Sequence, residues 1–118
     1  MTPDAKMVLV VDDERVIRGL VVRILAGRGF APLEARNGLE AVELYGFYRS
    51  GIALVVTDLD MPVMDGLEAI DRMRELSPGV RVVVMTGAGR DVNLPGCHLL
   101  RKPFTVAQLV ELVERALA

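Results

Sequence analysis

At 118 residues with 52% apolar side chains, the chain is long enough to bury the core of one domain without disulfide staples. The apolar residues fall in short blocks, never in an uncharged run near the ~18 residues that would span a bilayer, which excludes a membrane span and leaves Met1–Lys6 without a signal-peptide core. A net charge of −2 with scattered basic residues argues against a nucleic-acid partner, and the single cysteine, Cys97, excludes an intrachain disulfide and fits a reducing cytoplasm.

Met7–Val11 is a continuous apolar block of strand length, the pattern of a strand buried on both faces of a parallel sheet. Val16, Ile17, Leu20, Val21, Ile24 and Leu25 then recur at helical spacing, and Gly27 and Gly29 end that helix. Ala31–Ala35 reads as a short second strand. Asn37 stands three residues ahead of Glu40, the capping-box pattern, and opens a helix to about Tyr48. Ile52–Thr57 is the third strand. Asp65 and Glu68 repeat the capping pattern at the head of a helix through about Leu76, stopped by Ser77-Pro78-Gly79. Val80–Met85, the most β-branched block, is the fourth strand, and Cys97–Leu100 a short fifth. Thr105 with Gln108 caps a last helix whose apolar stripe is Val106, Leu109, Val110, Val113 and Leu117. From Gly87 to Gly96 only Val92 and Leu94 are sizeable and apolar, so at most one helical turn is expected there. The alternation predicts an α/β fold with a parallel sheet. No repeat, low-complexity tract or linker divides it, and residues 1–118 read as a single domain.

In an open parallel sheet, functional groups gather beyond the carboxyl ends of the strands. Polar residues stand at those ends repeatedly: Asp12 and Asp13 after the first strand, Asp58 after the third, Thr86 after the fourth, Lys102 after the fifth. Taken singly, Asp13 and Asp65 also suit helix caps, Thr86 an ordinary strand-end hydroxyl and Lys102 a solvated lysine. Together they predict a cleft holding three carboxylates, a hydroxyl and an ammonium. Two like charges 4 Å apart repel by about 4 kcal/mol at an effective dielectric of ~20, more than one lysine relieves. A hard divalent cation would relieve it, and an oxygen-only donor set suits Mg2+, which keeps waters and binds phosphate. Carboxylate-based phosphoryl chemistry is the expectation.

With these residues in view, the chain resembles the response-regulator receiver family. The resemblance is carried by Val8-Leu9-Val10-Val11-Asp12-Asp13-Glu14, by Thr57-Asp58-Leu59-Asp60-Met61-Pro62-Val63-Met64-Asp65-Gly66, by Met85-Thr86-Gly87 and by Lys102-Pro103-Phe104, in that order along almost the whole chain. It implies a flavodoxin-like three-layer fold with a five-stranded parallel sheet of order 2-1-3-4-5, here with a short or missing fourth helix. It implies that Asp58 is the phosphoacceptor, that Asp13 binds Mg2+ directly with Asp12 assisting, and that the backbone carbonyl of Asp60 completes the metal shell alongside Asp58. Lys102, before a cis bond to Pro103, and Thr86 would contact the phosphoryl group, and Gly87, being small, would leave room for the phosphodonor and the attacking water. Asp60 and Ala88 occupy the positions that usually tune phosphoryl lifetime. The implied partners are a sensor histidine kinase or phosphotransfer protein as donor and an unknown downstream protein, in the cytoplasm, with no nucleic acid and no membrane on this chain.

Two positions depart from the family pattern. Leu99 stands where a switch aromatic is usual, and the interval from Thr86 to Lys102 is several residues short. Output is therefore expected from a surface other than the fourth-helix region. His98 reads as a strand or loop histidine, and Met61 and Met64 as loop packing, since no soft ligand accompanies them. No output domain follows Ala118, so the chain reads as a stand-alone receiver or one excised from a larger regulator. Two alternatives stand beside the phosphoacceptor: a pseudo-receiver that binds partners without phosphorylation, and a haloacid-dehalogenase-type phosphatase, suggested by Asp58-Leu59-Asp60 but disfavoured by Pro62 and by the short chain.

Overall fold

The alternation in the sequence is realised strand by strand in a computed structural model that describes residues 5–87 and 92–118. In chain order the elements are β1 (Met7–Val11), α1 (Arg15–Gly27), β2 (Ala31–Ala35), α2 (Gly38–Tyr48), β3 (Ile52–Asp58), α3 (Gly66–Leu76), β4 (Val82–Thr86), β5 (Cys97–Arg101) and α4 (Val106–Leu117). All neighbouring strands are parallel, in the order β2-β1-β3-β4-β5. This is the expected flavodoxin-like sheet, and its order reverses between β1 and β3.

Alternate side chains of β1, β3 and β4 feed two cores, one per face of the sheet. Leu9, Val11, Val55, Val82 and Val84 pack with residues of α2 and α3, including Tyr45, Ile70 and Met73. Val8, Val10, Leu54, Val56, Val83 and Met85 pack with Val21 and Leu25 of α1 and with Leu109 and Val113 of α4. Burying each such leucine or valine fully contributes about 1.5–3 kcal/mol. Two buried faces explain why the central strands are unbroken apolar runs rather than alternating ones.

The helix starts follow the caps. Asn37, Asp65 and Thr105 each accept a hydrogen bond from the backbone amide three residues on. The full reciprocal box forms at Thr105–Gln108. At Asn37 the reciprocal half is diverted, because the Glu40 carboxylate accepts from the Arg36 amide and guanidinium instead. Three expectations are corrected in detail. β4 opens at Val82, not Val80, because the Val80 amide donates to the Ser77 carbonyl and closes a turn. β3 and β5 each run one residue further than expected, to Asp58 and Arg101. Val106 does not belong to the buried stripe of the last helix: it is 48% exposed, and Ala116 joins Leu109, Val110 and Val113 instead.

No helix lies between β4 and β5 among the described residues, in keeping with the short or missing fourth helix; residues 88–91, and with them Ala88, lie outside those described. Val92, Leu94 and Cys97 pack against the core beneath α2 and α3. Arg74 reaches across from α3 and donates to the Pro95 carbonyl at 2.8 Å and to Cys97 Sγ at 3.3 Å. Among the described residues no helix is long and apolar enough to cross a membrane.

Candidate functional site

The reversal of strand order brings the carboxyl ends of β1 and β3 side by side, with Val11 opposite Thr57 in the pairing register. The next residues, Asp12 and Asp58, are 0% and 4% exposed, the two most deeply buried carboxylates among the described residues. One carboxylate oxygen from each of Asp12, Asp13 and Asp58 lies within 4.8 Å of the others. Asp13 is the exposed member and forms the outer lip. It does not cap α1. Glu14 occupies the N-cap with no side-chain bond, and the Glu14 amide instead donates to Asp12 Oδ1 at 2.9 Å.

β5 delivers the cation. The Lys102 amide donates to the Thr86 carbonyl at 2.8 Å, and the peptide bond to Pro103 is cis, as the resemblance implied. Lys102 Nζ stands 3.1 Å from Asp12 Oδ2 and 3.5 Å from Asp58 Oδ2. Thr86, the last residue of β4, is 2% exposed. Asp12, Asp13, Asp58 and Lys102 thus come together, and Thr86 ends β4, the strand between β3 and β5.

Burial pushes the Asp58 carboxyl up to about 6, and the Asp12 charge adds to that; Lys102 and the Leu59 amide pull it back without cancelling it. Burial pulls the Lys102 ammonium down, yet its hydrogen bond to Asp12 and the charges of Asp12, Asp58 and Glu14 outweigh burial and hold it above the ordinary lysine value. The lysine is thus a fixed cation, while the acidic group beside it is poised near neutrality.

The loop after Asp58 is held by close backbone approach. The Gly66 amide donates to the Leu59 carbonyl at 2.9 Å and the Gly38 amide to the Met64 carbonyl at 3.1 Å. A Cβ at Gly66 would collide with the Asp58 carbonyl oxygen, and one at Gly38 with the Met64 carbonyl oxygen. Between them the Met64 amide donates to the Pro62 carbonyl at 2.8 Å around Val63, whose φ is +72°. That γ-turn is an uncommon conformation for a β-branched residue. Leu59, Met61 and Met64 are buried in the core, so the two methionines are packing residues as expected. His98 is half-buried within β5, consistent with a strand histidine, and Leu99 is 39% exposed.

One contributor carried no signal in the sequence. Arg18, on α1, donates from Nη1 to the Asp12 carbonyl at 2.9 Å and from Nε to Glu34 at 3.0 Å.

A profile of the response regulator receiver domain matches residues 8–114. The chain belongs to that family. This receiver domain is 38% identical over 90 residues to the chemotaxis protein CheY of Halobacterium salinarum, covering 76% of this chain and 73% of that one. It is 30% identical over 116 residues to the sporulation initiation phosphotransferase F of Bacillus subtilis, covering 93% and 92%. A receiver domain protein from Clostridium thermocellum superposes with a TM-score of 0.88 at 27% identity, over 94% of this chain and 93% of that one. Other relatives are much longer. The receiver spans 25% of a protein-glutamate methylesterase of Paramagnetospirillum magneticum, at 39% identity over 94 residues, and 12% of the sensor kinase CckA of Brucella abortus, at 34% over 116.

Proposed function

We propose that this receiver accepts a phosphoryl group on Asp58 in a two-component phosphorelay. The observation that carries the reading is the convergence of Asp12, Asp13 and Asp58 within 4.8 Å beside the ammonium of Lys102. Three hard oxygen donors without sulfur or imidazole fit Mg2+, held by Asp12, Asp13, Asp58 and the backbone carbonyl of Asp60. Bound there, the cation would neutralise phosphoryl oxygens as charge gathers on them.

Asp58 supplies the nucleophile. A carboxylate oxygen forms the new O–P bond while the donor's P–N bond breaks and its electron pair returns to the imidazole of a phosphohistidine. Lys102 then contacts one phosphoryl oxygen and Thr86 donates its hydroxyl to another. Hydrolysis of the acyl phosphate by water returns the carboxylate, so the domain switches back by itself. A cytoplasmic sensor histidine kinase or phosphotransfer protein is the donor this chemistry needs, and receiver segments within sensor kinases are among the relatives. A solved complex of CheX and CheY from Borrelia burgdorferi, which contains BeF3 and Mg2+, has the same fold at a TM-score of 0.88 and 26% identity; it supports the same metal and phosphoryl-mimic chemistry here. Output to a downstream protein would leave from a surface other than the interval between β4 and β5.

Intact mass after incubation with acetyl phosphate tests the proposal. Wild type is expected to gain one phosphoryl group only with Mg2+ present, and Asp58→Ala none. A wild type that gains no adduct from any donor would favour the second reading, an unphosphorylated pseudo-receiver, for which the short interval after β4 and the exposed Leu99 speak. Family membership leaves the dehalogenase-type phosphatase without support.

A further inference from the structure

Asp12 is tied down at every polar atom it owns. Its amide donates to the Ala35 carbonyl at 3.2 Å, Oδ1 accepts from the Glu14 amide at 2.9 Å, Oδ2 from Lys102 Nζ at 3.1 Å, and the carbonyl oxygen from Arg18 Nη1 at 2.9 Å. The first three are the sheet, the turn and the site lysine. The fourth comes from a helix residue to which no role attaches so far. The Arg18 side chain is only 12% exposed, and its Nε is aimed by Glu34 of β2 at 3.0 Å. Its planar fork therefore bolts one peptide group to α1 and to β2 at once.

That peptide is the one joining Asp12 to Asp13. Because a peptide unit moves as a plane, fixing its oxygen also fixes the amide and Cα of Asp13, the exposed lip of the carboxylate cluster. We propose that Arg18 is a positioning residue for the cation site, acting through the Asp12 carbonyl and braced by Glu34. The inference rests on the Mg2+ reading above and extends it to a residue outside the cluster.

Charge and positioning predict opposite signs. A guanidinium near three carboxylates opposes an incoming cation, so by charge alone its removal would tighten Mg2+ binding. Loss of the clamp would let the Asp12–Asp13 peptide rotate and weaken binding, as loss of a partner behind a metal ligand commonly does by about 10–100-fold. Lysine at position 18 keeps the charge and loses the fork, which separates the two effects.

The experiment is calorimetric titration of MgCl2 into the whole chain for wild type, Arg18→Met and Arg18→Lys, with a thermal melt of each in EDTA. The expected result is Mg2+ affinity about 10-fold weaker in Arg18→Met, and clearly weaker in Arg18→Lys while its metal-free melting stays close to wild type. Equal or tighter Mg2+ binding in either folded variant would overturn the inference. Should Arg18→Met fail to fold, Arg18→Lys decides alone. A wild type that takes up no Mg2+ would overturn the metal reading itself, and the clamp with it, whereas wild-type binding that Arg18→Lys leaves intact overturns only the clamp.

Discussion

At the scale of single residues, Asp58 is ionised against the preference of its surroundings. Its carboxyl titrates near 6 in the folded protein against an ordinary value of 3.8, with burial as the main cause. The folded state thus holds this proton more tightly than the unfolded chain. Asp58 stabilises most below the unfolded value, and that contribution is lost as pH rises through about 6. Asp58→Asn, uncharged throughout, is expected to melt roughly 4 °C above wild type at pH 7.5 in EDTA, with the gap closing by pH 4. Equal melting at pH 7.5 would show that Lys102 compensates Asp58 fully. The residues of this cluster were legible because Asp12, Asp58 and Thr86 each directly follow or end an apolar run, and a strand places such a residue at the rim of the sheet. Asp13 was ambiguous, since an aspartate just before a helix also suits a cap; the turn at Asp12 Oδ1 moved the cap to Glu14. Arg18 was invisible, because an arginine between apolar helix positions looks like any surface charge until β2 and the end of β1 are seen around it.

At the scale of elements, the loop from β3 into α3 is the part most intolerant of change. A Cβ at Gly66 would meet the Asp58 carbonyl oxygen and come within 2.9 Å of Leu59 Cα, and backbone cannot swing aside as a side chain does. Gly66→Ala is expected to lose about 1–3 kcal/mol and to slow acetyl-phosphate labelling, since the strain falls on Asp58 itself. Gly19, in the middle of α1, has open space around its Cβ position. Gly19→Ala is expected to gain about 0.5–1 kcal/mol through helix propensity. Paired urea melts would check both, and matching signs would contradict the geometry. Element identities were readable from caps and apolar period, whereas the ends slipped where a turn competed. Val80 belongs to the Ser77 turn despite its β propensity, and Val106, at the first helical position, looks outward although it keeps the spacing of the stripe.

At the scale of the molecule, the sheet divides the interior into two cores that share no residue. Leu109 is fully buried where α4 packs on β3, β4 and β5, so Leu109→Ala is expected to cost about 2–5 kcal/mol. Val106→Ala, one turn earlier on the same helix, should stay within about 0.5 kcal/mol. Denaturant midpoints of the two would show whether α4 is anchored by its inner face alone. The parallel architecture was legible from alternation, but the strand order came from resemblance, because nothing local in β2 says on which side of β1 it lies.

Asp12 and Lys102 touch across 90 residues of sequence. In polymer terms, their contact closes most of the polypeptide into one loop, already drawn together by the successive pairing of β1 with β3, β3 with β4 and β4 with β5. No contiguous fragment shorter than that span can present the acids together with their lysine. Unzipping β5 from β4 would carry Lys102 away and leave Asp12 and Asp58 adjacent on β1 and β3, so the lysine reports whether the last strand is in place.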